Sequence, residues 1–161
     1  MNCKMPELKQ ALEHAGFTDV RTVISSGNAV FTARKASEES LQKKCEAAFG
    51  KYLSKPFMTI VRSIEDLEAL IASDPYKRFK RPANAKRDVT FLRAAPRIAP
   101  KLPVDLRGAR ICAIEDRVVF SFHVPQDMDP AFMQLIETTF GKEVTTRTWE
   151  SVERIVKAGR A

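Results

Sequence analysis

The chain has 161 residues, 44% of them apolar and 29% charged, which suits a folded, water-soluble chain of one large domain or two small ones. No apolar run approaches the ~20 residues of a membrane span, and Met1-Asn2-Cys3-Lys4-Met5-Pro6 has no apolar leader. Cys3, Cys45 and Cys112 are odd in number, widely spaced and free of any Cys-x-x-Cys, which argues against a disulfide framework and for a reduced, cytoplasmic setting.

In chain order, Pro6 to Ala15 predicts a helix, with Leu8, Leu12 and Ala15 on one face and Gly16 at its end. Val20 to Thr32 predicts a β-hairpin turning at Ser26-Gly27-Asn28, because Gly and Asn accept the positive φ of a tight reversal. Ser37 is a candidate N-cap for a helix whose apolar stripe is Leu41, Cys45, Ala48, Phe49, Tyr52 and Leu53. Phe57 to Arg62 reads as a short strand. Ser63 with Asp66 caps a third helix, faced by Ile64, Leu67, Leu70 and Ile71, which Asp74-Pro75 ends. Tyr76 to Arg87 reads as a basic loop and Asp88 to Arg93 as a strand, while Ala94 to Gly108, with Pro96, Pro100 and Pro103, has no regular pattern beyond room for one helical turn. Arg110–Ile114 and Arg117–Val124 form a hairpin about Glu115-Asp116. A helix capped by Asp129-Pro130 follows, with Phe132, Met133, Ile136 and Phe140 inward and Gly141 at its end. Val144 to Thr148 is a strand, and Thr148 caps a last helix faced by Val152, Ile155 and Val156.

The second half thus runs strand, irregular segment, hairpin, helix, strand. The first half has the same order once a leading strand is supplied. This is an α+β plan of two ferredoxin-like (split β-α-β) halves, with antiparallel sheets and helices packed on one face. Residues 1–74 form the first half with a connecting helix, 75–87 a basic linker, and 88–161 the second half with the C-terminal helix.

Three blocks carry a resemblance. Lys4-Met5-Pro6-Glu7-Leu8 with Ala15-Gly16-Phe17-Thr18-Asp19-Val20-Arg21-Thr22, then Ser26-Gly27-Asn28-Ala29-Val30-Phe31, then Thr145-Thr146-Arg147-Thr148-Trp149 are similar to a bacterial family known as domain-of-unknown-function family 1697. The resemblance implies an α+β fold of two ferredoxin-like halves and no particular activity. It also implies a leading strand ending in Arg-Gly-Ile-Asn-Val-Gly-Gly, whereas only Met1-Asn2-Cys3 precedes Lys4 here. The expectation is that the true start lies upstream, or that this form is unstable or a homo-oligomer, since unpaired strand edges invite association. Thr148 stands where the family usually has Asn.

The net charge is +7 and is unevenly placed. Residues 75–110 hold 11 Lys/Arg and 2 Asp/Glu, a local +9, and the remainder is slightly acidic. In this segment Arg78, Arg81, Lys86 and Arg87 are candidate phosphate contacts, and Tyr76 and Phe79 candidate stacking surfaces, for an anionic partner such as nucleic acid. The competing reading is a charged, solvated linker. A different function, an enzyme acting on a small anionic substrate in a cleft between the halves, draws on Ser26, Asn28 and Arg147. Asn28 is equally explained by the hairpin, and Arg147 by packing with Trp149. Cys112 and His123 lie on paired strands and form a weaker nucleophile–base candidate, since a Cys on a buried strand is usually core. No cluster of His, Cys, Asp or Glu has ligand spacing, so no metal or cofactor is expected. The leading expectation is a non-enzymatic module that binds an anionic partner through its basic segment.

Overall fold

The computed structural model describes residues 3–25, 27–97, 99–125 and 130–161. It is α+β, with every strand pairing antiparallel. The chain divides into two compact units, Met1–Glu68 with Glu153–Ala161, and Ala69–Val152. The division differs from the halves expected above in giving the end of the last helix to the first unit and residues 69–74, with the second half of the third helix, to the second.

In the first unit, helix α1 (Met5–His14) buries Leu8, Ala11 and Leu12. Strands β1 (Thr18–Val23) and β2 (Asn28–Thr32) form a two-stranded hairpin in which Val23 faces Asn28. Gly27 turns at φ 85°, and Asn28 Nδ2 donates to the Val23 carbonyl at 3.1 Å, closing the turn. Helix α2 (Glu38–Tyr52) starts at Ser37, whose hydroxyl accepts from the Ser40 N–H at 3.1 Å, as an N-cap should. Leu8, Leu12, Phe17, Val20, Cys45 and Phe49 make one core. Residues 57–62 do not form the expected strand, because they have no partner strand among the described residues. The Val61 N–H bonds instead to Oε1 of the buried Gln42, at 3.0 Å. Helix α3 (Ile64–Ser73) begins with the Asp66 N–H on the Ser63 hydroxyl at 3.1 Å. Its acids Glu65 and Glu68 take ion pairs from Arg160 near the C-terminus, at 3.4 and 2.5 Å.

The second unit is built on a five-stranded sheet. Its strands are β3 (Lys86–Leu92), β4 (Val104–Leu106), β5 (Ala109–Glu115), β6 (Val118–His123) and β7 (Val144–Thr148), in the order β4-β5-β6-β3-β7. Helix α4 (Ala131–Phe140) and helix α5 (Trp149–Gly159) flank β7 in sequence. The Thr148 hydroxyl accepts from the Ser151 N–H at 3.2 Å, so the expected cap is present, whereas Asp129, the cap expected for α4, lies outside the described residues.

Side chains alternate across a strand, so paired positions assign the faces. Asp88, Thr90 and Leu92 share one face with Val119, Ser121 and His123. Leu92, Ala109, Ile111 and Val119 form a core on it with Leu135 and Ile136 of α4. The other face carries Val89, Phe120 and Phe122, against Tyr76, Phe79 and Trp149. Packing therefore lies on both faces of this sheet. Residues 75–87 are not a bare linker: Pro75–Arg78 is a 3-10 turn with Pro75 and Tyr76 buried, and Lys86 and Arg87 begin β3.

Candidate functional site

The basic segment keeps most of its charge at the surface. Lys77, Arg78, Lys80, Arg81 and Lys86 are exposed, and Arg87 is half-buried. Arg78 pairs with Glu115 at 3.0 Å, and Arg87 with Glu150 at 2.9 Å. Arg81 reaches the Ala85 carbonyl at 3.5 Å. Among the described residues, Lys77, Lys80 and Lys86 have no carboxylate at ion-pair distance. Tyr76 is not the stacking surface expected of it. Its ring is 4% exposed, packs edge-on against Phe120 and Trp149, and its hydroxyl donates to the Asp88 carbonyl. Phe79 is half-buried against Ala85, Cys112 and Phe122, with the Arg78 guanidinium 5.5 Å over its ring.

A second feature joins residues that are far apart in the sequence. A pocket of about 220 Å³ opens between the end of β6 and the first turn of α4. Arg107, Ala109 and His123 line it from the sheet, and Ala131, Phe132 and Met133 from the helix. His123 Nδ1 lies 2.5 Å from Oδ2 of Asp88, whose residue is 3% exposed. The two are diagonal neighbours, since Asp88 faces Ser121 and His123 faces Lys86 across β3 and β6. The His123 ring stacks on Phe132, with centroids 4.7 Å apart and planes 15° apart. Arg107 turns at φ 44° before Gly108, and its Nη2 donates to Gln134 Oε1 at 3.1 Å, which fixes the guanidinium at the pocket.

Burial pushes the Asp88 carboxyl up to about 6, against the pull of the His123 hydrogen bond and the charges of His123 and Lys86. As a carboxylate it accepts the Nδ1–H, which leaves Nε2 as the ring nitrogen that Asp88 does not engage. Such a ring, held by a buried acid beside a cation, can accept a proton and then donate to an anion.

The family described as "Protein of unknown function (DUF1697)" matches residues 1–120. The chain belongs to this family. The conserved bacterial protein SP0830 from Streptococcus pneumoniae has a similar structure, with a TM-score of 0.70 and 21% identity over 99% of this chain and 91% of that one. This likeness shows a shared fold. No curated protein matches the chain. In this DUF1697 member Arg107 and Ala109 fall within the matched span, and His123 and the α4 wall lie beyond it.

Of the remaining sequence candidates, Asn28 belongs to the first unit and Arg147 to the second. Ser26 lies outside the described residues. The Asn28 amide is engaged in closing the first unit's hairpin. Arg147, in the second unit, donates to Thr145 Oγ1 at 2.9 Å and to the Thr146 carbonyl at 2.8 Å, and burial lowers its pKa. The Arg87 guanidinium lies over the Trp149 ring, at 5.6 Å. The Cys112–His123 pairing is not formed. His123 faces Ala109 and Lys86, while Cys112 sits on the opposite face with Phe122 and burial pushes its thiol up to about 11. Among the described residues no three His, Cys, Asp or Glu side chains are grouped to hold a metal ion, and no helix is long and apolar enough to cross a membrane.

Asp88 makes stability pH-dependent. The folded chain holds this proton more tightly than the unfolded chain, where the carboxyl has its ordinary value of 3.8. Its contribution is complete below 3.8 and is lost as pH rises to about 6. The melting temperature of the native protein minus that of Asp88→Asn should therefore fall across this window in a thermal series. A constant or rising difference contradicts the assignment.

Proposed function

We propose that this protein binds a polyanionic partner, with nucleic acid as the leading candidate, through the basic surface of its second unit. The observation that carries the reading is the exposure of the surplus charge. Lys77, Lys80 and Lys86 stand exposed without a carboxylate at ion-pair distance among the described residues, and Arg81 is exposed beside them in sequence. Charges of this kind engage phosphates by releasing counterions, which needs no pocket and no base readout. The burial of Tyr76 supports contact with the backbone of the partner rather than stacking on bases. The strand order β5-β6-β3-β7 supports a ferredoxin-like plan for the second unit, and the free cysteines support a cytoplasmic setting.

The test is a fluorescence-polarisation titration with labelled single-stranded RNA and duplex DNA at low and moderate salt. Binding should weaken steeply with salt. A Lys77→Ala, Lys80→Ala, Arg81→Ala variant should bind more weakly, with the log–log salt slope reduced by about one for each lost phosphate contact. Absence of binding at low salt, or an unchanged slope in the variant, overturns the reading.

A further inference from the structure

We propose that the pocket beside His123 is a separate binding site for a small molecule bearing an oxyanion on an apolar body, and that His123 takes up a proton when this ligand binds. The size limits the ligand. At about 220 Å³ the pocket is below the ~300–1,000 Å³ typical of drug-sized ligands, and it admits one small ring or short chain with its charged group. The chemistry of the walls then assigns the two ends. Ala109, Ala131, Phe132 and Met133 offer an apolar wall, and Met133 is 42% exposed although it is a large apolar side chain. Arg107 and His123 are the charged or chargeable groups among the lining residues, and a guanidinium is matched in shape to carboxylate and phosphate.

Proton uptake follows from the hydrogen bonding. With Nδ1–H committed to Asp88, a neutral His123 would turn the Nε2 lone pair toward an arriving anion, which repels it. Protonating Nε2 turns this repulsion into a charge-assisted hydrogen bond. The resulting imidazolium lies between the buried Asp88 carboxylate and the face of Phe132, both of which favour a cation. Among the described residues, the charged groups facing the ring are Asp88 and Lys86 from β3 and Arg107 from the turn before β5. Ala109 of β5 and Ala131, Phe132 and Met133 of α4 are uncharged. Glu150 acts at a distance, on Asp88. An arriving anion favours the imidazolium, so ligand and proton bind together.

Phenyl phosphate and benzoate are the probes, with benzyl alcohol as the uncharged control. Calorimetric titrations near neutral pH, in two buffers of different ionisation enthalpy, count the protons taken up. At least one of the oxyanions should bind with net uptake, and benzyl alcohol at least about tenfold more weakly, the scale of one charge-assisted hydrogen bond. Arg107→Gln and His123→Gln should each weaken binding about tenfold, and His123→Gln should also abolish the uptake. A long-range ¹H–¹⁵N spectrum of the unaltered protein should show Nε2 of His123 becoming protonated on saturation, a readout that depends on no variant. The Lys77, Lys80, Arg81 variant should bind the probes normally, so this site and the polyanion surface stand or fall separately. Failure of both oxyanions to bind at millimolar concentration, equal binding of benzyl alcohol, or binding without a change at His123 overturns the proposal.

Discussion

Phe120→Ala should lower the unfolding free energy of the second unit by about 3–5 kcal/mol, the usual range for removing a buried Phe side chain. Phe120 is 1% exposed at the middle of β6, paired with Val89 on one side and Ala113 on the other. The Tyr76 ring meets it edge-on at 5.9 Å, and Trp149 meets Tyr76 at 5.4 Å, so the truncation opens a gap beneath the Tyr76 ring on which Trp149 packs. The neighbours cannot close it cheaply, because the Tyr76 hydroxyl is held by the Asp88 carbonyl. The loss is a large part of the ~5–15 kcal/mol that a domain has in total. Urea denaturation followed by Trp149 fluorescence reads it directly. A loss below about 1 kcal/mol would mean that Phe120 is not at the centre of this core.

Leu12→Ala should cost about 2–5 kcal/mol in the first unit. Leu12 is 2% exposed on α1, among Leu8, Phe17, Val20, Cys45 and Phe49. Its side chain joins helix to hairpin, so its loss removes contacts that neither α1 nor β1 can replace alone. Met58→Ala provides the contrast. Met58 is 36% exposed, and its truncation should stay within about 0.5 kcal/mol. Hydrogen exchange at the amides of α1 and α2 should report the difference, with faster exchange in Leu12→Ala alone. Equal effects of the two substitutions would contradict the packing described.

Local signals in the sequence are legible where the chemistry itself is local. Ser37, Ser63 and Thr148 each accept the backbone N–H three residues on, and Val144–Thr148 is a strand as the run of Val and Thr suggested. Tertiary effects are less legible. Lys86 and Arg87 look like loop residues, yet they pair with His123 and Phe122 as the first residues of β3. Residues 104–106 were hidden by the surrounding prolines, and their strand exists only because β5 is there to pair with it. Phe57–Arg62 has the alternation of a strand and no strand beside it among the described residues, because propensity does not supply a partner. The His123 pocket was missed for the same reason. Asp88 in Lys-Arg-Asp-Val-Thr-Phe-Leu resembles a solvent-facing position, and its partner is 35 residues away, so only the register of β3 against β6 brings them together. A carboxylate at the head of an otherwise apolar run was the available clue.

The ends of the five-stranded sheet have a consequence for how the second unit behaves at high concentration. A row of open backbone N–H and C=O groups is a template on which a further chain can polymerise. Here one outer strand, β4, is only three residues long and follows Pro103, which has no N–H to give. The other, β7, carries Arg147 in its middle, a charge that a docking strand has to accommodate. Among the described residues neither border strand offers the long, flat, uncharged edge from which fibrils grow, so the sheet of the second unit resists stacking into a continuous one.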